Sequence, residues 1–123
     1  MDLLRAAANG DFAAVATLLS QGAGIDSRDS NGMTALLLAV DGRRHDVVRF
    51  LLKKRANPDV TDKWGQTALM LAAGRNDSVS IRLLLDARAD FSIRAGNGLT
   101  ALGYALDNGM REAAALLKKA GAR

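Results

Sequence analysis

The chain has 123 residues, a formal charge of +4, 4% aromatic residues and no cysteine. That is one domain's worth of chain, enough to bury roughly two-thirds of its unfolded surface if compact, and it holds neither a disulfide framework nor a thiol nucleophile. No apolar run approaches the ~18 residues needed to span a bilayer, and Met1 to Asn9 lacks the long apolar segment of a secretory signal, so no membrane contact and a cytoplasmic place are expected, with a periplasmic or secreted one as the alternative had a signal been trimmed.

In chain order, Asp2 to Ala8 reads as a short helix with Leu3, Leu4, Ala6 and Ala7 inward, closed by Asn9-Gly10, where glycine can take the left-handed conformation that ends a helix. Asp11 follows, placed to accept from the free amides of a second helix over Phe12 to Gln21. Thr34 to about Gly42 and Asp46 to about Lys54 form the next pair, with Val47, Val48, Leu51 and Leu52 at helical spacing toward the core. Ala56-Asn57-Pro58-Asp59 is turn chemistry and leads into a loop that projects residues 60 to 65 sideways. Thr67 to Gly74 and Ser78 to Asp86 repeat the pair, with Ile81, Leu84 and Leu85 inward. In the last unit Lys118 stands where Leu52 and Leu85 stand earlier, and the helix ends Lys118-Lys119, which predicts a polar outer face.

These elements recur with a fixed spacing. Gly32-Met33-Thr34-Ala35-Leu36 returns as Gly65-Gln66-Thr67-Ala68-Leu69 and Gly98-Leu99-Thr100-Ala101-Leu102, 33 residues apart each time. Leu3, Leu36, Leu69 and Leu102 share a column of that period, as do Leu18, Leu51, Leu84 and Leu117. A period in the range of ~20 to 50 residues marks a stacked array whose units bury their apolar faces only against neighbours.

The phrase, the period, and Val47-Val48 with Leu51-Leu52 before Ala56-Asn57-Pro58-Asp59 resemble the ankyrin repeat over the whole chain. The resemblance implies an all-α solenoid of helix-turn-helix units with projecting β-turn loops, one domain over 1–123 with repeats at about 1–28, 29–61, 62–94 and 95–123. The proline and histidine of the family phrase are absent, the histidine position being Leu37, Met70 and Gly103, so that histidine's hydrogen bond is missing here. The family also favours a left-handed glycine after each second helix. Gly22 and Gly121 comply, while Arg55 and Arg88 do not and are expected to be left-handed nonetheless.

Catalytic chemistry is not expected. His45 is the sole histidine, in a column with Phe12, Ser78 and Arg111, which reads as a surface position. Glu112 is the sole glutamate, and Asp26, Asp29, Asp59 and Asp62 fall in turn columns. No nucleophile, base and orienter, and no set of metal ligands, assembles, so the chain reads as no enzyme, with no cofactor and no metal. Arg43, Arg44, Arg49, Lys53, Lys54 and Arg55 raise nucleic-acid binding as a reading, but Arg49 and Lys53, with Arg82 and Asp86 in the same columns, line a solvated outward face of the second helices without interleaved aromatics, and it ranks below protein binding.

In the ankyrin family the loop tips and the inner face of the first helices form a concave surface that recognises proteins. Carried over residue by residue, that surface comprises Arg28, Ser30, Asn31, Met33 and Asp41, then Thr61, Lys63, Trp64, Gln66 and Arg75, then Arg94, Asn97, Leu99, Asp107 and Asn108. Met33, Trp64 and Leu99 are apolar where solvent-facing residues are expected, and Trp64 shares its column with Asn31 and Asn97, which predicts an exposed indole. The expected partner is another protein with a modestly acidic surface, met by a monomeric array. Occlusion of an enzyme's active site, as an inhibitor or immunity protein, is the expected use, with a scaffold role as the alternative.

Overall fold

The structure, a computed structural model, describes residues 2–123. They form eight helices and no strand: α1 Leu3–Asn9, α2 Phe12–Ser20, α3 Ala35–Asp41, α4 His45–Lys53, α5 Ala68–Gly74, α6 Ser78–Asp86, α7 Ala101–Asp107 and α8 Arg111–Ala120. Each odd-numbered helix pairs with the helix that follows it. Odd helices pack on odd helices of the next pair, and even on even.

The first helix of each pair has 7 residues, too short to persist alone in water. Two things hold it. Thr34, Thr67 and Thr100 place their hydroxyls 3.2 Å from the amides of Leu37, Met70 and Gly103, a capping bond worth about 1 kcal/mol each. Asp2 does the same for α1 through the Arg5 amide at 2.8 Å. The repeated leucines then supply the packing. Leu36, Leu69, Leu51, Leu84 and Leu117 are all buried, and each such side chain removed from water contributes about 1.5–3 kcal/mol. Leu52 and Leu85, expected inside, are half-buried at the margin of this core. Leu37 and Met70 fill the position of the family histidine with apolar volume, and Met70 Sδ accepts from the Thr67 amide at 3.4 Å.

Left-handed residues close both helices of each pair. Arg55 and Arg88 adopt φ of +68° and +63°, as expected from Gly22 and Gly121 in their column. Between first and second helices, Arg43 and Asn76 adopt +55° and +57° beside Gly10 and Gly109, a second left-handed column.

Neighbouring pairs are tied by backbone and side-chain ladders. The Lys63 amide donates to the Asn31 carbonyl at 2.9 Å and the Gly96 amide to the Trp64 carbonyl at 3.0 Å, laying successive loops side by side. Asp26 accepts from the Asn57 amide at 3.0 Å, and Asp59 from the Asp90 amide at 2.8 Å. Arg44 and Asn108 donate to the carbonyls of Ala8 and Gly74 at 3.1 and 3.0 Å, and Arg75 to that of Asp41. The amide of Ala113, in the first turn of α8, donates to Asn76 of the preceding pair at 2.9 Å. Met110, at the N-terminal end of α8, makes no side-chain cap, so the neighbouring unit supplies it.

Two expectations need correction. His45 is not a plain surface residue: its Nε2 lies 2.9 Å from the carboxylate of Asp77, whose side chain is 1% exposed. The reason is that this column reaches the next pair: Phe12 meets the ring of Phe50 there, and His45 meets the Asp77 carboxylate. The outer face of the last pair is also less polar than Lys118 and Lys119 suggest. Leu106 is 55% exposed, in the column where Ala7, Val40 and Ala73 are buried, because none of the described residues packs beyond it.

Candidate partner-binding surface

The projecting loops are closed hairpins built by their first residue. Asp29 accepts from the amides of Asn31 and Met33 at 2.8 and 2.9 Å, and Asp62 from those of Trp64 and Gln66 at 2.9 Å each. Ala95 cannot do this, and Asn97 substitutes, its Oδ1 accepting from the Leu99 amide at 3.1 Å. Aspartate at a hairpin base is thus a structural device here, as the turn column suggests.

The residues expected to meet a partner divide into two sets. One set is engaged within the array. Arg28 donates to the carbonyls of Gly32 and Thr61, and Arg94 to that of Gly98 at 3.3 Å. Arg75 forms an ion pair with Asp41 at 2.6 Å, both half-exposed, so the pair contributes at most about 1 kcal/mol. Asn108 is bonded to Gly74, as above. Met33 is half-buried and packs against the core, and Leu99 is half-buried against α7, where a Cβ added at Gly103 would meet its Cδ2 at 3.1 Å. Asn31 and Asp107 are exposed.

The other set converges. Lys63, Trp64, Gln66 and Asn97 line a groove of about 520 Å³ together with Tyr104, Gly65 and Gly96. Trp64 is 57% exposed, and Lys63 Nζ lies 4.5 Å from its ring centroid. Such a cation–π contact at an exposed site is worth about 0.5–1 kcal/mol. The hydroxyl of Tyr104 accepts from Gln66 Nε2 at 3.3 Å and from Asn97 Nδ2 at 3.0 Å, joining the two hairpins to α7. The glycines let the hairpins approach: a Cβ on Gly65, which has φ of +80°, would meet the Gly96 nitrogen at 2.9 Å. A second hollow, lined by Gln66, Met70, Leu71, Gly74, Arg75, Tyr104 and Asn108, continues the groove along the first helices.

Tyr104 is the residue that sequence reasoning missed. Its column holds Arg5, Leu38 and Leu71, and that variety on the exposed side of the first helices was the available signal.

The His45–Asp77 joint, by contrast, is a closed set of hydrogen bonds around one buried carboxylate. Asp77 caps α6 through the Ser80 amide at 3.2 Å and accepts from the Ser80 hydroxyl at 2.7 Å and from His45 at 2.9 Å. Histidine, aspartate and serine are all present, but the serine is buried and bonded to the carboxylate rather than to the histidine, so no nucleophile faces a base. Burial pushes the Asp77 carboxyl up, and the bonds from the Ser80 hydroxyl and amide and from His45 outweigh it, holding the group below the ordinary carboxylate range.

A family described as ankyrin repeats matches the sequence in three copies, over residues 3–95 and 54–123. No curated protein matches it.

Proposed function

The chain belongs to the ankyrin repeat family, whose repeats generally mediate protein–protein contacts rather than catalysis, and from that premise we propose that this array binds a partner protein across its hairpin tips and the adjoining face of its first helices. The observation that carries the reading is Trp64, 57% exposed at the mouth of the groove. Exposing an indole forgoes most of the burial free energy that the side chain would gain in a core, and tryptophan is among the residues most enriched where binding energy concentrates. Lys63, Gln66, Asn97 and Tyr104 line the groove with it, and Asn31 and Asp107 are exposed in the hairpin and helix-end columns. Arg28, Arg75, Arg94 and Asn108 are held in fixed positions by bonds inside the array, so a partner would meet them ready-oriented.

The array's use in this reading is occlusion: the hairpin tips enter a cleft of a partner enzyme, in the manner of an inhibitor or immunity protein. Two adjoining hairpins presenting one indole suit insertion into a cleft better than the display of several separate docking faces that a scaffold needs.

The test is Trp64→Ala. The immobilised wild-type chain captures its partner from an extract of the source cells, and the affinity of the purified partner is then measured for both forms. The variant should lose about 2 kcal/mol of binding, roughly thirtyfold in Kd, while its thermal midpoint moves little. Because the chain has one tryptophan, its emission should also shift to the blue when the partner is added to the wild type. An unchanged Kd in the variant would sink the assignment of this surface.

A further inference from the structure

We propose that the groove between Trp64 and Tyr104 is a receptor for the side-chain carboxylate of an aspartate or glutamate on the partner's surface. The inference rests on the protein-binding reading and adds what that reading leaves open, the chemistry of the contact.

Asn97 has its orientation fixed, because its Oδ1 accepts from the Leu99 amide at 3.1 Å; its Nδ2 is therefore the atom that donates to Tyr104 Oη at 3.0 Å. Tyr104 must then place its own hydroxyl hydrogen elsewhere. With Gln66 Nε2 donating to the hydroxyl at 3.3 Å, that hydrogen is left for the groove. If the Gln66 amide were turned over, the tyrosine would donate to Gln66 Oε1 and the Gln66 amide hydrogens would be left for the groove instead. Either arrangement leaves at least one uncommitted donor on a residue that lines the groove. The second hydrogen of Asn97 Nδ2 and the ammonium of Lys63 add to the set, the latter 4.5 Å from the indole centroid at the groove wall.

No acidic side chain lines the space to satisfy them. Asp62, at the base of the same hairpin, is buried and holds the amides of Trp64 and Gln66. The Trp64 carbonyl already accepts from Gly96. A site with a cation, two or three neutral donors and no free anion favours a ligand that only accepts, and an ionised carboxylate is the protein side chain of that kind. The exposed indole beside it accommodates the apolar stem of the same residue or of its neighbour in a groove of about 520 Å³.

The experiment uses two random peptide libraries that differ only in one fixed central residue, glutamate in one and glutamine in the other. Each is passed over the immobilised full chain, wild type or carrying Lys63→Met, Tyr104→Phe or Trp64→Ala, with circular dichroism confirming that every variant is folded. The glutamate library should be retained by the wild type about tenfold more than the glutamine library, in line with charge-assisted bonds in place of neutral ones. Lys63→Met and Tyr104→Phe should each reduce that ratio severalfold, and Trp64→Ala should reduce retention of both libraries. Equal retention of the two libraries, whether high or absent, overturns the proposal. So does a glutamate preference that survives both Lys63→Met and Tyr104→Phe, which would report the chain's overall positive charge. Equal retention that still depends on Trp64 would overturn the carboxylate receptor and leave the binding surface standing, so the two failures are distinguishable.

Discussion

Two polar clusters join neighbouring units on opposite sides of the helix pairs, and they differ in how completely their hydrogen bonds are matched. On the second-helix side, Asp77 receives the Ser80 hydroxyl, the Ser80 amide and His45, and is 1% exposed. On the hairpin side, Gln66, Asn97 and Tyr104 also bridge two units, but with donors to spare and with Lys63 and Trp64 open to solvent. A buried polar group left without a partner costs about 1–3 kcal/mol, so the matching in the first cluster is a requirement of folding. The second is stable while incomplete because water completes it, and what water completes a partner can complete instead.

The sharpest way to break this contrast is Asp77→Ala. The substitution removes the cap of α6 and leaves the Ser80 hydroxyl, which is fully buried, without its acceptor. Loss of a cap costs about 1 kcal/mol and an orphaned buried hydroxyl a further 1–3, so chemical denaturation should show a loss of about 2–4 kcal/mol. Tyr104→Phe, which orphans only groups that water reaches, should cost under about 1 kcal/mol in the same assay. Comparable losses from the two would mean that the hairpin cluster is as structural as the buried one.

Acid titration probes the same joint more gently. The Asp77 carboxyl is held below its ordinary value, so the folded state binds its proton more weakly than the unfolded chain does. Its contribution is complete above about pH 4, near the ordinary carboxylate value, and is lost as pH falls through the lowered one. The wild type should therefore lose stability below about pH 4 more steeply than Asp77→Ala does. Parallel acid limbs in the two proteins would show that other carboxylates carry the effect.

The contrast between the clusters also marks what a linear reading could reach. The helix over Ser78–Asp86, the left-handed Arg55 and Arg88, and the exposure of Trp64 all follow from one column at a time: its apolar spacing, its glycines, its alternation with asparagine. His45 did not, because its environment is set by Asp77 of the next unit, 32 positions on, and neither column alone is regular enough to announce a pair. Arg75 and Asn108 stand in a varied column and read as free contacts, yet each reaches back to a helix-end carbonyl of the preceding unit. Tyr104 escaped because the groove it completes exists only once α7 lies against two hairpins. Contacts within a unit are legible from the period, while contacts across units depend on which two columns meet.

The smallest expected effect separates left-handed residues that do nothing else from one that does. Arg55, Arg88 and Asn76 all have positive φ, which costs a side-chain-bearing residue about 1 kcal/mol relative to glycine. Arg55 and Arg88 are exposed, and neither side chain makes a hydrogen bond or ion pair among the described residues, so a cation near a helix C-terminus, worth about 0.3–1 kcal/mol, is all that glycine would forfeit there, apart from its greater freedom when unfolded. Arg55→Gly and Arg88→Gly should each raise stability, by a few tenths to about 1 kcal/mol in urea denaturation. Asn76→Gly relieves the same backbone but removes the acceptor of the Ala113 amide, the only side-chain cap among the described residues that α8 receives in its first turn. Asparagine also tolerates the left-handed region better than arginine does, so the relief is smaller. Its net effect should be a loss of about 0.5–1 kcal/mol, opposite in sign to the arginine variants. Stabilisation by all three would mean that α8 needs no cap from its neighbour, and destabilisation by all three that the arginines hold contacts of their own.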